Sequence, residues 1–143
     1  RDKIDEIMEQ VKCPVAVFVN RQYREGTTVS FVFGGMIDLF LFSYLDKMLQ
    51  NGHSVRLFLF DTDDEEFRGR IDDLQVRYPE QTMIVWFAGV EDLVTEEKDG
   101  LLIMSHLSYT KLSEDEAVIR ELSSLLVIRR NKNTGDKNEG LEN

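Results

Sequence analysis

The sequence lacks most of what a disulfide-stapled, zinc-binding or nucleic-acid-binding protein requires. Its single cysteine, Cys13, permits no intrachain disulfide and leaves too few thiols for a zinc cluster. Positive charge is in the minority, with 17 Lys and Arg against 27 Asp and Glu and a formal net charge of −10. The arginines are scattered apart from the pair Arg129 and Arg130. Phosphate binding depends on clustered cations, so nucleic acid is excluded as a partner. No apolar run reaches the about 20 residues of a membrane span. The most apolar stretch, GGMIDLFLFSYLDKMLQNG, is interrupted by Asp38, Asp46 and Lys47. The N-terminal RDKIDEIMEQ is charged and helix-like where a secretory leader needs an apolar core. These absences predict a chain that is soluble by itself. With no initiator Met and a start inside a helix-like stretch, it reads as a piece of a longer polypeptide.

What is present is one domain's worth of apolar residues. At 143 residues and 42% hydrophobic, the chain can bury a single core. Apolar, β-branched runs alternate with helix-period segments. VSFVFGG is a buried strand ending in two glycines, and a helix over Met36 to Asn51 follows, stopped by Gly52. SVRLFLFDT is the next strand. DDEEFRGRIDDLQVRYP is an acid-led helix capped by Asp63 and ended by Pro79. TMIVWFAG, LLIMSH and SLLVIRR are three further strands, with a short polar turn or helix in VEDLVTEEKDG and a helix in EDEAVIREL. Strands apolar along their whole length and separated by helices imply a parallel sheet covered on both faces. The expectation is therefore a doubly wound α/β domain of five strands, spanning 27–130. The tail 131–143 has one apolar residue, Leu141, and is expected to be disordered.

The first twenty residues stand outside this layout, and they have a counterpart. A shift of 110 positions aligns DEIMEQVKCPVAVF, from Asp5 to Phe18, with DEAVIRELSSLLVI, from Asp115 to Ile128. Asp5 and Glu6 then match Asp115 and Glu116, and Val17 matches Val127. Both segments read as an amphipathic helix running straight into a buried strand. The interval is about one α/β domain, the period of a tandem repeat. Residues 1–20 thus read as the closing helix and strand of a preceding copy. That strand is expected to pair with SLLVIRR in the same chain, giving six strands, or to swap into a second molecule.

The segments CPVAVFVNR, VSFVFGGMIDLFLFSYLDKML, SVRLFLFDT, DGLLIMSHLS and SSLLVIRR, in this order, resemble the cytoplasmic C-terminal region of cation/proton antiporters of the second family. That region carries two tandem domains similar to universal stress proteins, and the likeness paces the chain from Ile4 to Arg130. The resemblance implies a flavodoxin-like α/β fold with an extra helix and strand at its edge. It also implies a regulatory, non-enzymatic role beside the membrane domain of the same antiporter, at the cytoplasmic face of the cell membrane. A homodimer through edge strands 14–19 and 125–130 is a further expectation drawn from the family. Nucleotide-binding universal stress proteins hold phosphate on a glycine-rich loop after the fourth strand. The corresponding MSHLSYTKLSEDEAVI has no glycine and places Glu114, Asp115 and Glu116 where phosphate charge would sit. The acidic residue usual at the end of the first strand falls on Gly34 or Gly35. No cofactor is expected.

The candidate site residues each carry a functional and a plain reading. Gly34 and Gly35 either admit a ligand to a helix N-terminus or relieve the tight strand-to-helix turn. His106, beside Ser105 and Ser108, either acts as a base or makes a structural hydrogen bond at a strand end. Asp61 and Asp63 either hold Mg²⁺ at the carboxyl edge of the sheet or serve the following helix as cap and dipole partner. His53 reads as loop, Cys13 as a buried small residue, and Trp86 and Phe87 as core. Three functions remain: the antiporter's regulatory module, a stand-alone nucleotide- or small-ligand-binding stress protein, and an enzyme or phosphoacceptor using Asp61 or His106.

Overall fold

The computed structural model describes residues 15–21, 23–24, 28–60, 63–94 and 100–130. The expectations for the N-terminal helix, the C-terminal tail, Cys13 and Asp61 fall outside them. Six strands form one sheet: β1 (Val15–Val19), β2 (Val29–Phe33), β3 (Val55–Phe60), β4 (Thr82–Phe87), β5 (Leu101–Ser105) and β6 (Ser124–Arg129). Their spatial order is β1-β6-β5-β2-β3-β4. β2 to β6 are mutually parallel, and β1 pairs antiparallel with β6 of the same chain, Val17 opposite Val127.

Period-two alternation in the strands divides the core into two halves. On one face Phe31, Phe33, Leu57, Leu59 and Ile103 meet Leu45 and Leu49 of helix α1 (Phe42–Gln50) and Phe67, Ile71 and Leu74 of α2 (Glu65–Arg77). On the other, Val32, Phe58, Met104, Leu125 and Val127 meet Tyr109 and Leu112 of α3 (His106–Leu112) and Val118 and Ile119 of α4 (Glu116–Glu121). Each fully buried Leu or Phe contributes about 1.5–3 kcal/mol by leaving water. Pairs such as Phe31 and Val32, adjacent in sequence and buried on opposite faces, are why the strands read as continuous apolar runs.

Three local outcomes differ from the sequence reading. Met36 to Asn51 is not one helix: Met36–Leu41 is a 3-10 helix that leads into α1. Gly52 does stop α1, at φ 88°, with Gly52 N–H donating to Leu49 O and His53 N–H to Met48 O, the paired bonds of a Schellman ending. The cap of α2 is Asp64, whose Oδ1 accepts from the backbone N–H of Glu66 and Phe67, while Asp63 lies exposed before it. Finally, a helix, α3, follows β5 directly, in a stretch where the sequence suggested no helix. Its hydroxyl-rich HLSYTKL lacks strong helix formers, so Tyr109 and Leu112, buried against the sheet, hold it.

Candidate functional site at the switch point of the sheet

In an open α/β sheet a crevice forms beyond the carboxyl ends of the strands where successive connections leave toward opposite faces. Here that point lies between β2 and β5. The chain leaving β2 goes to α1 on one face, and the chain leaving β5 goes to α3 on the other. Gly34 and Gly35 follow β2, while Ser105 and His106 end β5 and open α3. The structure therefore places Gly34, Gly35, Ser105 and His106 at the two strand ends that flank the switch point, whereas Asp63 lies beyond β3 and Asp61 outside the described residues.

A residue that sequence reasoning passed over occupies its centre. Asp38, in the 3-10 helix, is wholly buried. Its Oδ2 accepts from Gly34 N–H at 2.7 Å and from the Ser108 hydroxyl at 3.0 Å. Ser108 N–H in turn donates to Ser105 Oγ at 3.0 Å, the cap of α3. One carboxylate oxygen thus ties the end of β2 to α3, seventy residues further on. The second oxygen, Oδ1, is buried with no hydrogen-bond partner. The two glycines suit this arrangement for different reasons, close approach at Gly34 and backbone conformation at Gly35. A Cβ on Gly34 would stand 3.3 Å from Asp38 Oδ2 and from Ser108 Oγ, and Gly35 has φ 138° and ψ −162°, a region open essentially to glycine alone.

The signal that reveals Asp38 in the sequence is a repeated hexapeptide. FGGMID, from Phe33 to Asp38, and FAGVED, from Phe87 to Asp92, each end a strand and enter a 3-10 helix. In the second copy Asp92 Oδ2 accepts from Ala88 N–H at 3.2 Å, the same four-residue reach-back as Asp38 to Gly34. The pattern Phe-x-Gly-x-x-Asp is thus a strand-terminating turn. Asp92 is exposed, whereas α3 covers Asp38 and supplies Ser108. Burial comes from tertiary structure, not from the motif.

Electrostatically, the position at the switch point where a ligand's anionic group is expected already holds a carboxylate. Gly34 N–H and Ser108 N–H, amides that an open crevice would offer to an anion, are bonded to Asp38 and Ser105. Glu114, Asp115 and Glu116 do not reach this point. They follow α3, and Asp115 caps α4 by accepting from Val118 N–H. His106 is half-buried at the start of α3, its carbonyl accepting from Thr110 Oγ1. Among the described residues no group of three or more His, Cys, Asp and Glu is placed to hold a metal ion. Phe87 is buried as expected, but Trp86 is 41% exposed, with the Arg68 guanidinium 4.4 Å above its ring.

A cleft of about 860 Å³ lies at the opposite, amino-terminal edge of the sheet, among Tyr23, Met48, His53, Arg56 and Met83. Its size suits a ligand, but its walls bring together no catalytic constellation, and it is remote from the strand ends where such folds do chemistry. Among the described residues no helix is long and apolar enough to cross a membrane. Comparison of the chain with protein-family models, with curated proteins and with solved structures gave no match.

Proposed function

We propose that this chain is a non-catalytic regulatory module, and that it belongs to the cytoplasmic part of a monovalent cation/proton antiporter whose membrane domain performs the transport. The observation that carries the non-catalytic half is the buried Asp38 carboxylate at the switch point, bonded to Gly34 N–H and Ser108 Oγ. A phosphate arriving there would meet a fixed negative charge and amides already engaged. The antiporter half rests on the sequence resemblance, with which an α/β sheet extended by an antiparallel strand is compatible. In this reading 1–20 close a preceding copy, and the universal-stress-protein-like unit 27–130 keeps that family's scaffold while losing its phosphate site. Its contribution to transport is made through contacts with other parts of the protein.

Two measurements test this. The first is a thermal-shift titration with adenine nucleotides, cyclic dinucleotides and NAD(H), with and without Mg²⁺, for which no saturable shift is expected. Stabilisation that grows with the logarithm of ligand concentration would favour the stand-alone nucleotide-binding reading, for which the grouping of Gly34, Gly35, Ser105 and His106 is the best argument. The second is cation-driven proton flux in proteoliposomes containing the whole polypeptide. Flux that persists with an altered set-point when this region is deleted is expected, and a whole polypeptide with no such flux overturns the antiporter assignment.

A further inference from the structure

We infer that β4, the outermost strand at the end of the sheet away from β1, is the contact through which two copies of this chain join, each β4 pairing antiparallel with the other about a two-fold axis at Val85. The inference is independent of the antiporter reading.

The edge is open and apolar. β4 ends the strand order, and among the described residues β3 is its one neighbour in the sheet. Its sequence TMIVWF has neither charge nor proline, the devices by which natural edges avoid pairing. Met83 is 60% exposed and Trp86 41%. The two point to opposite faces, so apolar surface is offered on both sides of the edge.

The backbone determines which residues can pair. Val55 stands opposite Thr82, and its N–H donates to Gln81 O at 2.8 Å. Peptide groups alternate sides along a strand, so Met83, Val85 and Phe87 turn theirs to β3 while Thr82, Ile84 and Trp86 turn theirs outward. An antiparallel partner exchanges both of its bonds with outward-facing residues. A two-fold axis perpendicular to the sheet then leaves two central registers, with Ile84 opposite itself or Val85 opposite itself.

Helix α2 decides between them. The Arg68 guanidinium, 4.4 Å above the Trp86 ring, fixes Arg68 on the rim of the sheet at the level of Trp86. Asp72 is exposed and shares that rim, because residues four apart lie on one helix face. As the crossover from β3 to β4, α2 runs back along the strands. Its rise of about 6 Å over four residues matches about two strand residues and sets Asp72 near the level of Ile84. With Ile84 opposite itself, Asp72 meets Asp72 of the second copy. With Val85 opposite itself, Asp72 meets Arg68 on both sides of the axis, Ile84 meets Trp86, and Met83 meets Phe87. Only this register joins apolar to apolar and opposite charge to opposite charge. A strand of another protein would need the same spacing by design, whereas a second copy supplies it by symmetry.

The test is sedimentation equilibrium on the 143-residue chain, with amide exchange read across β4. A reversible monomer–dimer equilibrium is expected at micromolar concentration. Arg68→Asp and Asp72→Arg each bring like charges together at two symmetric places, and each is expected to weaken association by about 10-fold or more. The double exchange, R68D with D72R, is expected to return it to within about 3-fold of the wild type. Met83→Lys, at an exposed position, is a further variant expected to weaken association by about 10-fold or more while leaving the monomer folded. Exchange at the Ile84 and Trp86 amides is expected to slow by about 10-fold or more as the dimer fills, with the Val85 and Phe87 amides, which face β3, changing less. The inference is overturned by a chain still monomeric at about 1 mM, or by assemblies that grow beyond two copies. It is equally overturned by a dimer whose Ile84 and Trp86 amides exchange as in the monomer, or by single reversals that the double exchange does not rescue.

Discussion

Replacing Asp38 separates the two things its carboxylate does. Oδ2 accepts two hydrogen bonds, from Gly34 N–H and Ser108 Oγ, and hydrogen bonds to a charged group contribute about 1.5–3 kcal/mol each. Against this stands the cost of burying a carboxylate whose Oδ1 has no partner, which offsets part of the gain. Asp38→Ala removes both bonds and strands the Gly34 amide, but it also removes that cost. The net loss expected is about 2–4 kcal/mol, or roughly 6–15 °C in melting temperature for a domain of this size. Asp38→Asn keeps an oxygen that can accept from both donors and surrenders only the charge assistance, so a loss of about 1–2 kcal/mol is expected. Urea denaturation of the three proteins gives these differences directly. A second arm asks whether the carboxylate fills an anion site. With the charge gone, Asp38→Ala should be stabilised by phosphate relative to chloride at equal ionic strength by about 1 kcal/mol more than the wild type. An Asp38→Ala protein as stable as wild type, or one indifferent to phosphate, would refute the account of Asp38 as a built-in anion.

Two smaller predictions follow from backbone and caps. Gly35→Ala meets no atom within 4 Å, so any loss reports the φ 138° backbone alone, and about 1–3 kcal/mol is expected by chemical denaturation. Asp64→Ala should cost about 1 kcal/mol through the lost cap of α2, whereas Asp63→Ala should stay within about 0.5 kcal/mol. Equal effects at the two positions would return the cap to Asp63.

Much of this protein was legible in its sequence, because strand and helix follow from local apolar period. The run VSFVFGG had to be a strand buried on both faces, since Phe31, Val32 and Phe33 leave no polar side to show to water. Gly52, the acid-led start of α2 and the match of Val17 with Val127 were equally local signals, as was the placing of Gly34, Gly35, Ser105 and His106 near strand ends. The choice of Asp63 over Asp64 failed by one residue because caps depend on the backbone angle at which the helix begins. Helix α3 was missed because its polar sequence forms a helix only when Tyr109 and Leu112 have a sheet to lie on. Asp38 was read as a charge interrupting an apolar run, and only tertiary structure could make it the centre of the switch point. Its partner Ser108 lies seventy residues away and reaches it only because β2 and β5 are neighbours in the sheet. Local period determined the elements; strand order, which no local signal encodes, decided which side chains would meet.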